Sequence, residues 1–506
     1  MYMSQLLAFI VYFAVVLGIG LYFFLKNPGN GEKEYFLGGR SMGPWVTAMS
    51  AQASDMSGWL LMGFPGSIFA FGLGQVWIGI GLGIGTAANW ILCARRLRRF
   101  SQASGDSITL PQYLTNRFAS SSPVLKIVCA VIFLISFTIY VASGFVSGKT
   151  VLCSLIPWFN DGHQNLALLI FAAIILVYTF LGGFKAVSWT DFFQGLMMLV
   201  ALLTVPIAMA GFGSFDSTYA GAYAEGITAF GTSPFAAPAS EIISGLAWGL
   251  GYFGMPHILV RFMAIEKPSM VKKSATIAIG WVVLSLGATI AFAILGRTYL
   301  LSDGSSLAAA LLPDGRASIF ITIVQDLFPG FIAGLLLAAI VAAAMSTADS
   351  QLLVASSSFT SDIYKPLIRK GQASDSEVGM VGRIVVVVIS VIAYLIAASG
   401  TQWASDIMAM VENAWGLFGA AFGPVVILSL FWKRFNFPGA VAGIIGGAVV
   451  DIVWLLWIKA STGIFEILPG FVAGLVIAVI VSLATKAPGA EVEAIFAAAT
   501  DPEIDE

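Results

Sequence analysis

Thirteen runs of mostly apolar residues, each near the length that crosses a bilayer, divide this chain of 506 residues. A membrane-spanning helix needs about 20 such residues. The predicted spans are 4–25, 44–68, 74–94, 124–148, 164–182, 190–212, 239–260, 274–296, 317–345, 380–399, 406–431, 437–458 and 464–485. In lipid every backbone N–H and C=O must be satisfied internally, and runs of this length satisfy them only as helices. The fold class is therefore an all-α polytopic membrane protein. Composition agrees: 10% of residues are charged, against about 25% in a soluble domain.

Lysine and arginine bias sets the expected orientation. With the N-terminus outside and the C-terminus cytoplasmic, 21 of the 25 basic residues face inward, and only Lys149, Arg297, Arg316 and Lys459 face outward. Arg95, Arg96, Arg98 and Arg99 fall in one inner loop. Arg261, Lys267, Lys272 and Lys273 fall in a second, and Lys365, Arg369 and Lys370 in a third. The outer loop 213–238 carries no base, and the acidic end "DPEIDE" is short. The first 27 residues read as a retained span: no basic stretch precedes the apolar run, the run is too long, and no small-residue cleavage site follows.

Several functions are excluded. No basic domain offers itself to nucleic acid, and the net charge is −2. Two histidines, His163 and His257, and three scattered cysteines, Cys93, Cys129 and Cys153, give neither metal spacing nor a disulfide framework. No nucleophile–base pair suggests an intramembrane enzyme. The lack of a C-terminal signalling domain argues against a membrane nutrient sensor, which stays open as an alternative reading.

Two spans are interrupted midway. The second holds "SAQASDMSGWLLMGFPG", residues 50–66, with Asp55 among small and hydroxyl residues. A charge at bilayer depth costs about 2.5 kcal/mol or more. The seventh holds "GLAWGLGYFGMPH", residues 245–257, with four glycines and Pro256. These spans lie five segments apart and so run in opposite directions. Broken helices at matching places in oppositely oriented halves point to an inverted-repeat secondary transporter. The expected organisation is a first span and loop (1–43), repeat 1 (44–212), an external loop (213–238), repeat 2 (239–431), and two further spans with a tail (432–506).

An unwound span frees carbonyl oxygens, tolerated at membrane depth only where they line a cavity or are buried in protein. Carbonyl and hydroxyl oxygens suit Na⁺. The break near Asp55 offers carbonyls such as those of Ala53 and Met56. Facing hydroxyls are expected from Ser346 and Thr347, at the inner end of the ninth span in "AAAMSTADSQLLVASSS". Asp191, in "SWTDFFQG", reads equally as a first-turn helix acid or as a second cation ligand. Asp349, Glu412 and Asp451 are further embedded acids, and Asp406 reads as an N-cap. Trp59, Tyr140, Trp248 and Tyr252 are the aromatics of the broken region. Trp248 and Tyr252, four apart, share a face if the helix continues and would wall an apolar substrate.

These stretches, with "YFLGGRSMGPWVTAMSAQASDMSGWLLMGFPG", "LGGFKAVSWTDFFQG", "WGLGYFGMPHILVRFMA" and "FGAAFGPVVILSLFW", resemble the sodium/solute symporter family almost from end to end. The resemblance implies a leucine-transporter-type fold, with two inverted five-helix repeats plus three extra helices. It also implies inward co-transport of L-proline with Na⁺ across a bacterial inner membrane. It further implies a sodium site at Ala53, Met56, Ala343, Ser346 and Thr347, with Asp55 tied to sodium and Asp191 implicated in sodium handling. Ser57, Gly58, Tyr140, Trp248 and Tyr252 are implied in substrate binding, with Trp59 beside them and Pro256 shaping its span. The residues alone leave open another small carboxylate-bearing solute, and H⁺ or Li⁺ in place of Na⁺.

Overall fold

The structure, a computed structural model, describes residues 2–26, 32–181, 183–210, 231, 233–302 and 313–501. Most of the expected external loop and the last five residues lie outside these. Among the described residues ten helices are long and apolar enough to cross a membrane, and one bent pair adds an eleventh. By that measure the count stops short of thirteen. Two shorter apolar helices, Trp59–Phe71 and Gln164–Phe180, overlap two of the expected spans.

In chain order the principal helices are α1 (Tyr2–Lys26), α2 (Pro44–Asp55), α3 (Trp59–Phe71), α4 (Leu73–Ala103), α5 (Val124–Leu155) and α6 (Gln164–Leu181). There follow α7 (Phe184–Met209), α8 (Ala239–Phe253), α9 (Pro256–Ala264), α10 (Val271–Ser302) and α11 (Gly330–Ile368). The last are α12 (Asp375–Ala397), α13 (Ile407–Phe431), α14 (Phe437–Thr462), α15 (Ile467–Ala484) and α16 (Ala490–Thr500).

Both expected breaks are present. The second span divides into α2 and α3 at Met56 and Ser57, where Met56 leaves helical geometry (φ −88°, ψ 81°). The seventh divides into α8 and α9 at Gly254 and Met255, with a bend of 43°. Pro256 opens α9, where its missing N–H and fixed φ are tolerated. That missing N–H would have served the Tyr252 carbonyl. Asn89 of α4 serves it instead, with Nδ2 donating at 2.9 Å.

The ninth span differs from expectation. Instead of 317–345 there is a short helix, Ile319–Leu327, then Pro329, then α11 from Gly330 to Ile368. The small polar residues after Ala344 look like the end of an apolar run. They continue the helix because α11 is enclosed by protein, not lipid: 83% of its apolar window is buried. Ser346 and Thr347 therefore stand mid-helix, level with the break of the second span.

Helix α2 is packed by α7, α9, α10 and α11. The last turns of α8 lie against α4 and α13, and glycines permit the approach. A Cβ on Gly85 would fall 2.7 Å from the carbonyl carbon of Gly249, and one on Gly254 would fall 2.9 Å from Gly423 N. The entry to α2 and the exit of α9 meet through the backbone: Met42 N donates to Ala264 O at 3.3 Å and Glu266 N to Met42 O at 3.1 Å.

A polar latch covers this junction. Arg40 donates from Nε to Asp106 Oδ1 at 2.7 Å, from Nη2 to Ser107 O at 2.8 Å, and from Nη1 to Ser101 Oγ and Met263 O. Lys33 also pairs with Asp106. Partial burial works to raise the Asp106 carboxyl, but hydrogen bonds and charge from Lys33 and Arg40 outweigh it and hold it below its ordinary value.

Candidate functional site

The break of the second span redirects its own hydrogen bonds. Met56 N still reaches Gln52 O at 2.9 Å, but Ser57 N turns to Asp55 O at 3.1 Å. The Ala53 carbonyl thus loses the donor that a continuous helix would supply four residues on. Two hydroxyls of α11 meet it: Ser346 Oγ at 2.8 Å and Thr347 Oγ1 at 3.4 Å. Ser346 Oγ also lies 3.2 Å from Ala343 O. Ala53, Ala343, Ser346 and Thr347 therefore bring two carbonyl and two hydroxyl oxygens together, fully or almost fully buried. This donor set, oxygen only and without a fixed charge, fits a hard monovalent cation.

Asp55 sits beside this cluster with no exposed surface. Tyr252 Oη donates to its Oδ2 at 2.6 Å. Oδ1 has no hydrogen-bond partner among the described residues. The Asp55 backbone carbonyl collects Trp59 Nε1 at 3.2 Å and Tyr140 Oη at 3.2 Å. The structure so joins four of the predicted residues, Asp55, Trp59, Tyr140 and Tyr252, from both broken spans and α5.

Gly58 begins the second half of the broken second span, against α5. A Cβ there would fall 2.7 Å from Ser147 Cβ and closer still to its hydroxyl, so only glycine lets this backbone approach.

Trp248 is placed otherwise than its spacing from Tyr252 suggests. Residues 248–253 form a 3₁₀ turn, with three residues per turn, so positions four apart do not share a face. The Trp248 ring packs on Phe465 (centroids 5.0 Å apart) and Trp415 (6.3 Å). Trp415 in turn meets the Tyr252 ring edge-on at 5.1 Å and donates from Nε1 to Trp248 O at 2.8 Å. Trp248 thus reaches Tyr252 through Trp415.

One turn earlier along α2 lies a second buried group. Asp191 Oδ2 accepts from Ser50 Oγ at 2.7 Å and from Arg261 Nη2 at 3.1 Å. Arg261 further donates to Ser50 Oγ, Ser350 Oγ and His257 O. Asp191 is the eighth residue of α7, not in its first turn, which removes the helix-dipole reading. Arg261, counted among loop bases by charge, is 1% exposed within α9. Asp191 Oδ1 and both oxygens of Asp349 have no hydrogen-bond partner among the described residues. Asp406, as expected, caps α13, its Oδ1 accepting from Met408 N and Ala409 N.

Sequence reasoning missed Arg261, Asn89, Ser147 and Trp415. A charge inside "HILVRFMA" and an amide inside the apolar run of α4 are the available signals for the first two.

A profile of the sodium:solute symporter family matches residues 35–447. The chain belongs to that family. It is 42% identical over 496 residues to a sodium/proline symporter of Staphylococcus aureus (strain JH9), a match covering 96% of this chain and 93% of the relative. Among solved structures it superposes on a Na⁺-coupled sialic acid symporter with a TM-score of 0.73 at 21% identity, covering 96% of this chain and 99% of the other. It also superposes on MhsT in complex with L-phenylalanine, with a TM-score of 0.53 at 15% identity, covering 87% and 98%. These likenesses establish the leucine-transporter-type fold of a multi-pass symporter.

Proposed function

We propose that this sodium:solute symporter imports L-proline together with Na⁺ across a bacterial inner membrane, by alternating access, with its N-terminus outside and its C-terminus cytoplasmic. One observation carries the reading: an oxygen cluster of ion-binding character and an Asp55–Tyr252 contact lie side by side where two broken spans meet. The 42% identity to a sodium/proline symporter supports the choice of substrate.

In this reading Na⁺ is co-substrate. Ala53, Met56 and Ala343 offer carbonyls to it, Ser346 and Thr347 offer hydroxyls, and Asp55 supplies the balancing charge. The ion ties α2 to α11, two helices that must otherwise part. Asp191, with one oxygen unpartnered among the described residues, is a further position for a cation. The proline carboxylate suits the backbone N–H groups of Gly58 and Trp59, where the outer half-helix begins, beside Ser57, whose own N–H is turned to Asp55 O. The aromatic groups of Trp59, Tyr140 and Tyr252, with Trp248 and Trp415 behind, suit the ring. Pro256 keeps the seventh span bent toward them. No covalent chemistry is required of any residue.

Purified protein in proteoliposomes tests this with labelled L-proline. Uptake is expected to accumulate against a gradient only when Na⁺ is higher outside. Accumulation driven equally by a proton gradient without Na⁺, or no competition by excess proline, would overturn it.

A further inference from the structure

Four bases face outward under the charge bias, and three are engaged. Arg297 donates to Phe69 O, Arg316 pairs with Asp406 at 2.9 Å, and Lys459 bridges Glu412 and Glu466 at 3.0 and 2.8 Å. Lys149 has no hydrogen-bond or ion-pair partner among the described residues. It lines a cavity of about 330 Å³ at the outer end of α5, with Asn160, Gln164 and Ser405. No aspartate or glutamate lines that cavity among the described residues.

The place of the cavity matters as much as its charge. Its wall includes Val146, next to Ser147, which stands against Gly58. It also shares Ala317, Ser405 and Ile407 with a small cleft of about 10 Å³ lined by Met62, Gly63 and the Arg316–Asp406 ion pair, one turn outward from Trp59. The chamber therefore adjoins the outer half of the broken second span.

We propose that this chamber is a carboxylate-selecting antechamber, in which Lys149 holds the carboxylate of an incoming solute before it passes to the break at Ser57–Gly58. The direction of travel rests on the import reading above; the charge selectivity does not. A zwitterion finds a charged partner here for its carboxylate but only neutral amide and hydroxyl oxygens for its ammonium, so the chamber also orients it.

Cys153 offers a native reporter. It lines the same cavity one turn from Lys149, whereas Cys93 and Cys129 have no exposed surface. Modification of the purified protein, without Na⁺, by an anionic sulfonatoethyl methanethiosulfonate is compared with modification by its cationic trimethylammonium counterpart. After correction for their intrinsic rates, the anionic reagent is expected to react about threefold or more faster at low salt, from one charge acting through water over a helical turn. Lys149→Gln should erase that preference and Lys149→Arg retain it. L-Proline and cyclopentanecarboxylate should protect, and pyrrolidine should not. Thr150→Cys repeats the measurement if Cys153 is too enclosed to react. Equal rates for the two reagents, protection by pyrrolidine, or no reaction at either position overturns the proposal. None of these readouts needs uptake, so a protein that fails to import proline leaves this test intact.

Discussion

Tyr252 donates its hydroxyl to Asp55 at 2.6 Å across 197 residues of sequence, joining the two broken spans at their breaks. Each break makes the contact possible. The first takes the chain out of helix directly after Asp55, and the second precedes Pro256 and tightens residues 248–253 into a 3₁₀ turn. A buried carboxylate with one donor, and one oxygen without a partner among the described residues, would gain from a nearby cation, since an unpaired charge in this setting is costly.

Removing the proposed ion ligands should therefore weaken Na⁺ binding more than it weakens folding. Hydrogen bonds to charged groups are worth roughly 1.5–3 kcal/mol, and a ligand oxygen is taken on that scale. Thr347→Ala and Asp55→Asn should each raise the Na⁺ concentration for half-maximal uptake by about tenfold or more, with protein level in the membrane little altered. Unchanged Na⁺ dependence in both variants would put the cation elsewhere.

Substrate variants should separate from ion variants. Gly58→Val sets a side chain into Ser147, and Trp248→Ala removes the support behind Trp415 and Tyr252. Both should raise the half-saturating proline concentration while Na⁺ binding without proline changes less. An apolar pocket discriminates by only about 1–3 kcal/mol per methylene, so ring analogues differing by one carbon should compete measurably and linear amino acids poorly. Trp248→Ala with unaltered half-saturation would show that this stack does not shape the pocket.

Asp55 is legible in the sequence because a charge among small residues inside an apolar run is too costly to stand there without a partner. Ser346 and Thr347 are legible as oxygen donors, yet the limits of their span are not: a polar stretch that ends a lipid-facing helix continues one wrapped in protein. Arg261 reads as a loop base for the mirror reason. It stands near the inner end of a span where positive charge is usual, and only packing shows it turned inward to Asp191. Trp415 carries no local signal, since its role depends on the 3₁₀ register of residues 248–253.

Orientation is open to direct labelling. Single cysteines in place of exposed Lys272 and Lys370 should react only from the cytoplasmic side, and Asp161→Cys only from outside. Replacing Cys153 by serine first leaves Cys93 and Cys129, which have no exposed surface and give a low background. External labelling at Lys272 would invert the assignment drawn from the charge bias.

The latch at Asp106 should make stability depend on acid. Its carboxyl is held below the ordinary value by Lys33 and Arg40. The ionised form is thus favoured in the folded state, and the contribution is present above the ordinary carboxylate range. It is lost as pH falls through the depressed value. Melting of the detergent-solubilised protein should differ between wild type and Asp106→Asn at neutral pH and converge in strong acid. Because Asp106 is 45% exposed and screened, the difference should be modest and shrink with salt. A gap that persists unchanged into strong acid would mean the carboxylate charge is not its source.

Arg261 is expected to hold the inner side of the site closed. Its guanidinium joins Asp191 of α7, Ser50 of α2 and Ser350 of α11 directly beneath the Ala53–Ser346 contact. Breaking a buried ion pair by removing one partner costs about 3–5 kcal/mol, whereas replacing both by apolar groups can be neutral. Arg261→Met should therefore lower the melting temperature sharply, and adding Asp191→Leu should recover much of the loss. The same single variant loosens three helices at one point. A cysteine at Ser54, which has no exposed surface, should then gain reactivity toward a reagent supplied from the cytoplasmic side. If Arg261→Met left both melting and Ser54→Cys reactivity unchanged, the network would have no part in closing the inner path.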